Sequence, residues 1–565
     1  MKNMIRQKNF AKSYFIKVSF LMLLLFLSTG SILAQTTITG TVVDSKKEPM
    51  IGVSVKVKGS VIGTVTDFDG NYKLSVPDAN NAVLIFSFLG YKTQEIAVRA
   101  RSSVDVVLED DSQALNEVVV VGYNTIRRES LTGALQTLDS KQLLDATTPA
   151  VENLLTGKSP GVYVSPGSGQ PGEAGKIVIR GKSTINGSTD PLWVVDGVIM
   201  GSSATDINPN DIETLTVLKD AASTAVYGSQ GANGVILVTT KKGKIGKPSV
   251  NVLAKFAATD LNTGRFKIMN GAELYDLYDS FSNPEAFSNN WWWTPDLRNK
   301  NFDSCDNATQ TGFAQDYNVS VNGGNEKLRS YVSLGVYDET GAIKGYDYTR
   351  YNALLKVEYK VSDRLTIKPQ IMGSRKDVHD KEHSVGAMYG NLPWDSPYNK
   401  DGSLVGNAPN PTWVNTTGSN YLYDLQWNYA KSETYEVMGN FDFDIKITDW
   451  MTFASVNSYK FFEKNSTSYE DPRSSGGESV NGRITEGMRS NNRLYTNQLI
   501  RINKAFDKHY INAVAGYEWN EFNSKNTESM STGFAPGFEV GTVAAKAEKA
   551  ISWRSSWAVQ SYYLI

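Results

Sequence analysis

The sequence predicts a mainly β protein: a transmembrane antiparallel β-barrel wall, a mixed α/β unit ahead of it, and a small N-terminal β-sandwich. Three observations carry this. From about residue 246, apolar and polar residues alternate along successive long segments joined by turns. Aromatic residues are abundant, with 28 Tyr, 22 Phe and 11 Trp beside 47 Gly, and sustained helical periodicity is scarce. Beyond the N-terminal leader no segment has about 18 uninterrupted apolar residues, so a return to a membrane must use strands closed into a barrel.

The 565 residues call for several domains. A formal charge of −2 without a basic block argues against a nucleic-acid partner. The lone cysteine, Cys305, excludes an intrachain disulfide and a CxxC metal site. The histidines are His379, His383 and His509, too few for most imidazole chemistry. No set of nucleophile, base or metal ligands is found, so neither an enzyme nor a cofactor is expected.

Residues 1–34 read as a secretory signal peptide. Lys2, Arg6, Lys8, Lys12 and Lys17 precede the apolar run VSFLMLLLFL, Val18 to Leu27, and Ala34 offers a small residue for cleavage. That run is too short for a spanning helix, which needs ~20 residues. Removing the five cations takes the formal charge from −2 to −7. Residue 35 is Gln, so no lipid-bearing cysteine follows the cut.

Residues 35–110 read as a sandwich of about seven short strands. Val53, Val55 and Val57 alternate with polar residues, and so do Tyr72, Leu74 and Val76 after the Asp67-Phe68-Asp69-Gly70 turn. A calcium loop is the other reading of that turn, but the further oxygen ligands are missing. Residues 111–128 form a linker containing LNEVVVVGYN (115–124). An extended, β-branched segment between two folded regions is a ready edge for strand addition by a partner. The bland reading is a buried strand of a neighbouring domain.

Residues 129–245 alternate strand and helix signals. Thr148-Pro149 opens a helix PAVENLLTG, Lys176 to Arg180 is a strand, and Leu192 to Val195 meets Val198 through an Asp196-Gly197 hairpin turn. Asn208 to Asp211 opens a helical turn, Asp220 caps a helix AASTAVY ended by Gly228, and Gly234 to Thr240 is the last strand. Gly167, Gly169 and Gly172 fit G-x-G-x-x-G, but a strand pattern follows where a dinucleotide site needs a helix. Gly181-Lys182-Ser183 likewise lacks the spacing and the helix of a phosphate loop.

Residues 246–565 carry the barrel pattern in strands of roughly ten residues, with one face for lipid and one for the lumen. Val332, Leu334 and Val336 alternate with Tyr331, Ser333 and Gly335; Phe441, Phe443, Ile445 and Ile447 alternate with Asp442, Asp444 and Lys446. Short turns near Ser362 and Thr448 alternate with long loops such as Lys376 to Ser432, and Tyr359 and Trp450 suit an interfacial girdle. Roughly ten strands are counted, whereas a plugged barrel needs about 22. The chain therefore reads as the N-terminal part of a longer protein.

Together these segments resemble the SusC/RagA family of TonB-dependent outer-membrane transporters. The motifs are GTVTDFDGNYKLSVP (63–77), LNEVVVVGYN (115–124), LTGA (131–134), IVIRGKSTINGSTDPLWVVDGV (177–198), NPNDIETLTVLKDAASTAVYGSQGANGVILVTTKKGK (208–244) and QDYNVSVNGGNEKLRSYVSLGVYDETG (315–341). The first unit resembles a carboxypeptidase-regulatory-like, transthyretin-type sandwich, and 129–245 resembles the family's plug. Two positions depart: Gln230 stands where the family commonly has arginine, and Asn124 where glycine is usual. The resemblance implies an outer-membrane protein that imports a glycan, oligosaccharide or peptide beneath a SusD-like surface lipoprotein. Its TonB box would be Glu117, Val118, Val119, Val120, Val121, Gly122 and Tyr123, pairing strand on strand with TonB, itself driven by the proton gradient through an inner-membrane complex.

Trp291, Trp292, Trp293, Tyr389, Trp394 and Tyr398 are candidate ligand-stacking residues in the outer loops, and rim girdle or lid contact is their other reading. A siderophore or metal-complex receptor of the same fold is an alternative. It would draw on Asp377, His379, Asp380, Glu382 and His383, whose imidazoles would meet if the segment were helical. A passive pore or adhesin is a further alternative, against which the valine run and the plug both speak.

Overall fold

The computed structural model describes residues 36–44, 47–60, 62–77, 79–88, 91–99, 101–109, 118–121, 124–127, 135–144, 147–165, 167–201, 207–281, 292–380, 386–406, 413–414, 419–506, 509–539, 541 and 544–564. The expected signal peptide, 1–34, lies outside them. The described chain divides into two compact units, the sandwich and the plug with its wall.

The sandwich contains seven strands, β1 (Thr36–Val43), β2 (Ser54–Val57), β3 (Gly63–Val65), β4 (Asn71–Val76), β5 (Val83–Ser87), β6 (Gln94–Ala97) and β7 (Val106–Val107). They form two sheets, ordered β4-β1-β7 and β3-β2-β5-β6. Period-two patterning decides which side chains enter the core: Tyr72, Leu74 and Val76 of β4 point in, among Ile38, Val42, Val55, Leu84 and Phe86. The turn before β4 satisfies itself. One Asp67 carboxylate oxygen accepts from the Asp69 and Asn71 amides at 3.0 and 2.8 Å. Gly70 has φ +74°, and a Cβ there would lie 2.6 Å from the Val42 carbonyl oxygen. Tyr72 donates its hydroxyl to the Val104 carbonyl at 2.8 Å, and burial pushes its pKa up to about 12.

Within the linker, β8 (Val118–Val121) and β9 (Asn124–Arg127) form a two-stranded sheet of their own.

The plug is built on β10 (Leu135–Asp139), β11 (Val162–Ser165), β12 (Lys176–Ile179), β13 (Leu192–Val195), β14 (Val198–Gly201), β15 (Ile212–Leu218) and β16 (Val235–Thr240). Five of these make one sheet ordered β10-β15-β16-β13-β14, with β13 and β16 parallel, while β11 pairs with β12. β13 is buried throughout and β16 nearly so, which explains their continuous apolar runs. Two expected helices are smaller than their sequences suggest. PAVENLLTG yields one 3-10 turn, Glu152–Leu155, although the Thr148 hydroxyl does accept from the Ala150 amide at 3.3 Å. AASTAVY gives an α-turn, Ala221–Thr224, running into a 3-10 segment, Ala225–Gly231. Asp220 does not cap it with its side chain; that carboxylate pairs with Arg180 at 2.5 Å instead.

The wall is one ten-stranded sheet in sequence order: β17 (Gly246–Thr259), β18 (Gly312–Gly324), β19 (Leu328–Thr340), β20 (Asp347–Lys360), β21 (Leu365–Asp380), β22 (Tyr429–Thr448), β23 (Met451–Glu470), β24 (Arg483–Phe506), β25 (His509–Thr532) and β26 (Lys546–Leu564). Neighbours pair antiparallel throughout, with β17 and β26 at the two edges. The strands have 13 to 24 residues, longer than the expected ten or so, because pairing continues past the apolar belt into polar sequence such as Arg483 to Ser490. For the same reason the long loop expected over Lys376 to Ser432 shrinks to residues 381–428. Short turns close one end, at Asn325–Lys327, Val361–Arg364 and Asp449–Trp450. At the other end the connections include 260–311, 381–428 and 471–482.

Burial in strands such as β18 and β19 is inverted relative to a water-soluble sheet, whereas the edge strands β17 and β26 are exposed on both faces. Val319 and Leu334 are 43% and 61% exposed, while Asn318 and Ser333 beside them are 3% and 0% exposed. The apolar face is bare and the polar face is covered by the plug, the arrangement of a lipid-exposed barrel. Tyr359 is exposed at the end of β20, and Trp450 sits in the β22–β23 turn with the Lys504 ammonium 4.5 Å from its ring centre.

Candidate functional site

Three parts of the chain bear on function: the seat of the plug, the valine strand, and the long loops.

The plug carries its own apolar core, with Leu138, Val151, Trp193, Val195, Leu215, Val217, Ile236 and Val238 among its members, and Met372 of the wall packs against it. What joins plug to wall is mainly polar. The β13–β14 turn places Asp196 at φ +49°, aiming its carboxylate at the wall. It accepts from Lys356 of β20 at 2.9 Å and Gln370 of β21 at 3.2 Å, and from the Thr240 amide and hydroxyl at 3.0 and 2.6 Å. Lys356 also donates to the Thr240 hydroxyl at 2.8 Å. Burial pushes the Asp196 carboxyl up, but the Lys356 charge and the Thr240 donors outweigh it, and the net shift is below the ordinary value of 3.8.

The turn Asn208–Asp211 makes a second seat. The Asn208 side chain accepts from the Asn210 amide, capping the 3-10 turn Pro209–Asp211. Asn210 Nδ2 then donates to both carboxylate oxygens of Asp316 in β18, at 3.1 and 2.9 Å. Tyr331 of β19 donates to Asp211 at 2.9 Å. Burial raises the Asp211 carboxyl above its ordinary 3.8, and the hydrogen bonds from Ser333 and Tyr331 and the nearby Lys241 and Arg350 charges offset only part of this. Arg350 and Arg493, from the wall, donate to the plug carbonyls of Pro149 and Ile199 at 2.5 and 2.9 Å.

Hydrogen bonds to charged groups contribute about 1.5–3 kcal/mol each net, less where water can replace the partner. A body with its own core and a polar seat can leave that seat without losing its fold. The sequence marked Asp196 and Asn208 to Asp211 as turn residues and gave none of these side chains a seating role, although Asp316 and Lys356 occupy inward positions of their strands, which was the available signal. Gln230, at the position where arginine was anticipated, is exposed.

The valine strand Val118–Val121 is extended and paired to β9, so one of its edges carries no strand in the described sheets. Glu117, Gly122 and Tyr123 lie outside the described residues.

The candidate stacking residues divide. Trp291 is outside the described residues. Trp293 stacks on Tyr275 at 4.4 Å, and Trp292, Trp293 and Trp394 pack edge to edge or tilted at 5.9 to 6.1 Å. Trp394 corrects the sequence expectation: it is 1% exposed and donates to the Gly271 carbonyl at 3.2 Å, so it ties two long loops together and offers no ring face outward. Tyr389 packs edge-on to Phe266 at 5.2 Å, in a separate cluster with Met388 and Tyr421. Tyr398 is 42% exposed. The sequence could not reveal that loops 260–311 and 381–428 would fold on each other, as the Phe302 amide to Pro393 carbonyl bond of 2.8 Å records. His379 lies in β21, opposite Lys431, so the helical pairing with His383 does not arise there; His383 is outside the described residues. No group of three metal-ligating side chains occurs among the described residues.

A separately cored α/β plug, seated by polar contacts on a wall with an apolar outer face, defines the class of plugged outer-membrane receptors. Comparison with known proteins specifies it. Residues 38–120 match the CarboxypepD_reg-like domain model and residues 127–235 match the TonB-dependent Receptor Plug Domain model. The chain is 34% identical over 503 residues to the TonB-dependent receptor SusC of Bacteroides thetaiotaomicron, covering 82% of this chain and 48% of that protein. It is 30% identical over 514 residues to the TonB-dependent receptor P3 of Formosa agariphila, covering 88% and 49%. Its fold matches the RagAB peptide importer in the closed-closed state with a TM-score of 0.67 at 19% identity, over 77% of this chain and 53% of that one. The chain is a homologue of the TonB-dependent receptor SusC over most of its own length. It spans about half the length of the curated relatives it matches.

Proposed function

We propose that the protein serves TonB-dependent import of a glycan, oligosaccharide or peptide across the outer membrane, to which a signal peptide ending at Ala34 directs it. The observation that carries this reading is the order of parts: an extended valine strand stands just before a plug with its own core and a polar seat. Ligand binds among the outer loops beneath a SusD-like lipoprotein. TonB adds a strand to the Glu117–Tyr123 segment, whose main-chain hydrogen bonds bear load without needing particular side chains. Pulling there draws on the plug, and the contacts of Asp196, Asn210 and Asp211 with the wall exchange for water. The fold relative described as a peptide importer and the relative named SusC support the transporter class, and both substrate classes stay within it.

Deleting residues 117–123 tests the reading. Uptake of labelled ligand falls to background while surface binding stays at the parent level. Uptake at the parental rate overturns it and favours a passive pore.

A further inference from the structure

The outer face of the wall holds an apolar trough of about 530 Å³, within the range of ~300–1,000 Å³ common for small-molecule sites. Ala353 of β20 and Gly373 of β21, a cross-strand pair, lie along it, with Leu334, Val336, Tyr317 and Tyr351 as further walls. Gly373 invites explanation. Its φ is not left-handed, pairing on both sides runs through it without a shift, and an added Cβ would meet only the Glu436 carbonyl oxygen at 3.8 Å. Neither conformation nor packing within the chain requires glycine there. Glycine weakens a strand interior, and one with an open face marks close approach by a ligand or another backbone.

Arg375 stands at one end of the trough. Its guanidinium lies 3.0 Å from Asp377, 3.7 Å from Glu433 and 5.4 Å from the Tyr435 ring centre. Tyr351, Arg375 and Tyr435 are consecutive partners across three strands, so the charge is set between two aromatic rings, as at head-group level in a membrane girdle. The trough therefore runs from an apolar floor to a rim exposing one cation beside two carboxylates.

We infer that this trough seats one acyl chain of a zwitterionic phospholipid, with its phosphate at Arg375 and its ammonium at Asp377 and Glu433. The inference rests on reading the apolar outer face as the lipid face, with which the trough is continuous. A purely anionic head group would meet two carboxylates for one guanidinium, whereas a zwitterion matches both signs.

The test uses protein extracted from outer membranes in detergent, delipidated, and examined by native mass spectrometry with phosphatidylethanolamine, phosphatidylglycerol or lipid A added. Wild type retains one phosphatidylethanolamine per chain in preference to the other two. Gly373→Leu and Ala353→Leu, which fill the floor, each reduce retention about five-fold or more. Arg375→Gln weakens retention of both phospholipids, and Asp377→Asn with Glu433→Gln abolishes the preference between phosphatidylethanolamine and phosphatidylglycerol. Equal retention by wild type and both leucine variants overturns the inference, as does preference for lipid A or a change of oligomeric state in place of lipid loss. A protein that stays dispersed without detergent overturns the lipid-face reading beneath it. A detergent-requiring protein that holds no lipid overturns the seat alone.

Discussion

Asp196 shows how a single side chain sets the plug's hold on the wall. It meets Lys356 while both are mostly covered, so removing one partner leaves a charge stranded at the interface, a loss of about 3 kcal/mol. Asp196→Asn should therefore loosen the plug seat, read as faster amide exchange over β13 and β14, while Asp196→Asn with Lys356→Met recovers much of the protection. The two plug carboxyls respond oppositely to acid. Asp196 is held below 3.8, so its contribution is complete above that value and is lost as pH falls through its lowered pKa. Asp211 is held above 3.8, so its ionised form opposes seating, and acidification from neutrality toward 3.8 relieves that cost. Exchange protection of the seat is thus expected to hold or rise between pH 7 and 4 and to fall only below about 3.8, and the lower fall is absent in Asp196→Asn.

At the scale of elements, legibility followed how local the cause was. The wall strands were readable because lipid on one side and plug on the other impose strict alternation, as in Val332 to Val336. Their lengths were not, because beyond the apolar belt nothing but pairing marks a strand. The Asp196-Gly197 and Asp67–Gly70 turns were readable from residues that tolerate positive φ. The helices at 149–157 and 221–227 were overread, since tertiary packing and the Asp220 to Arg180 ion pair prevail over a capping pattern. Trp394 looked like a ligand face because the folding of two distant loops onto each other leaves no local trace. Successive amides of a strand point to opposite edges, so in β8 Val119→Pro and Val120→Pro between them remove one donor from the β9 side and one from the open side. The variant affecting the open side should weaken binding of the TonB C-terminal domain at least about ten-fold, whereas Val119→Thr and Val120→Thr, which keep the donor, stay within about two-fold. Equal binding by all four in a pull-down or calorimetric titration would rule out strand addition.

For the whole molecule the division of labour is between the cores of sandwich and plug and the polar contacts that seat the plug. The sandwich closes on its own residues, the plug closes on its own residues, and the plug meets the wall through Asp196, Asn210, Asp211, Arg350 and Arg493 more than through apolar packing. Such a plug is able to shift as a body, and the import reading requires that it does. The most direct test ties it down. Asn210→Cys with Asp316→Cys places thiols at two side chains now in hydrogen-bond contact, one on the plug and one on the wall, where a disulfide or a short cleavable bis-thiol linker joins them. Labelled-ligand uptake is then measured in cells before and after reduction, with surface binding as the control. The account predicts uptake lost in the linked protein, restored on reduction, and binding unchanged throughout; uptake at the parental rate while the link is intact would contradict it.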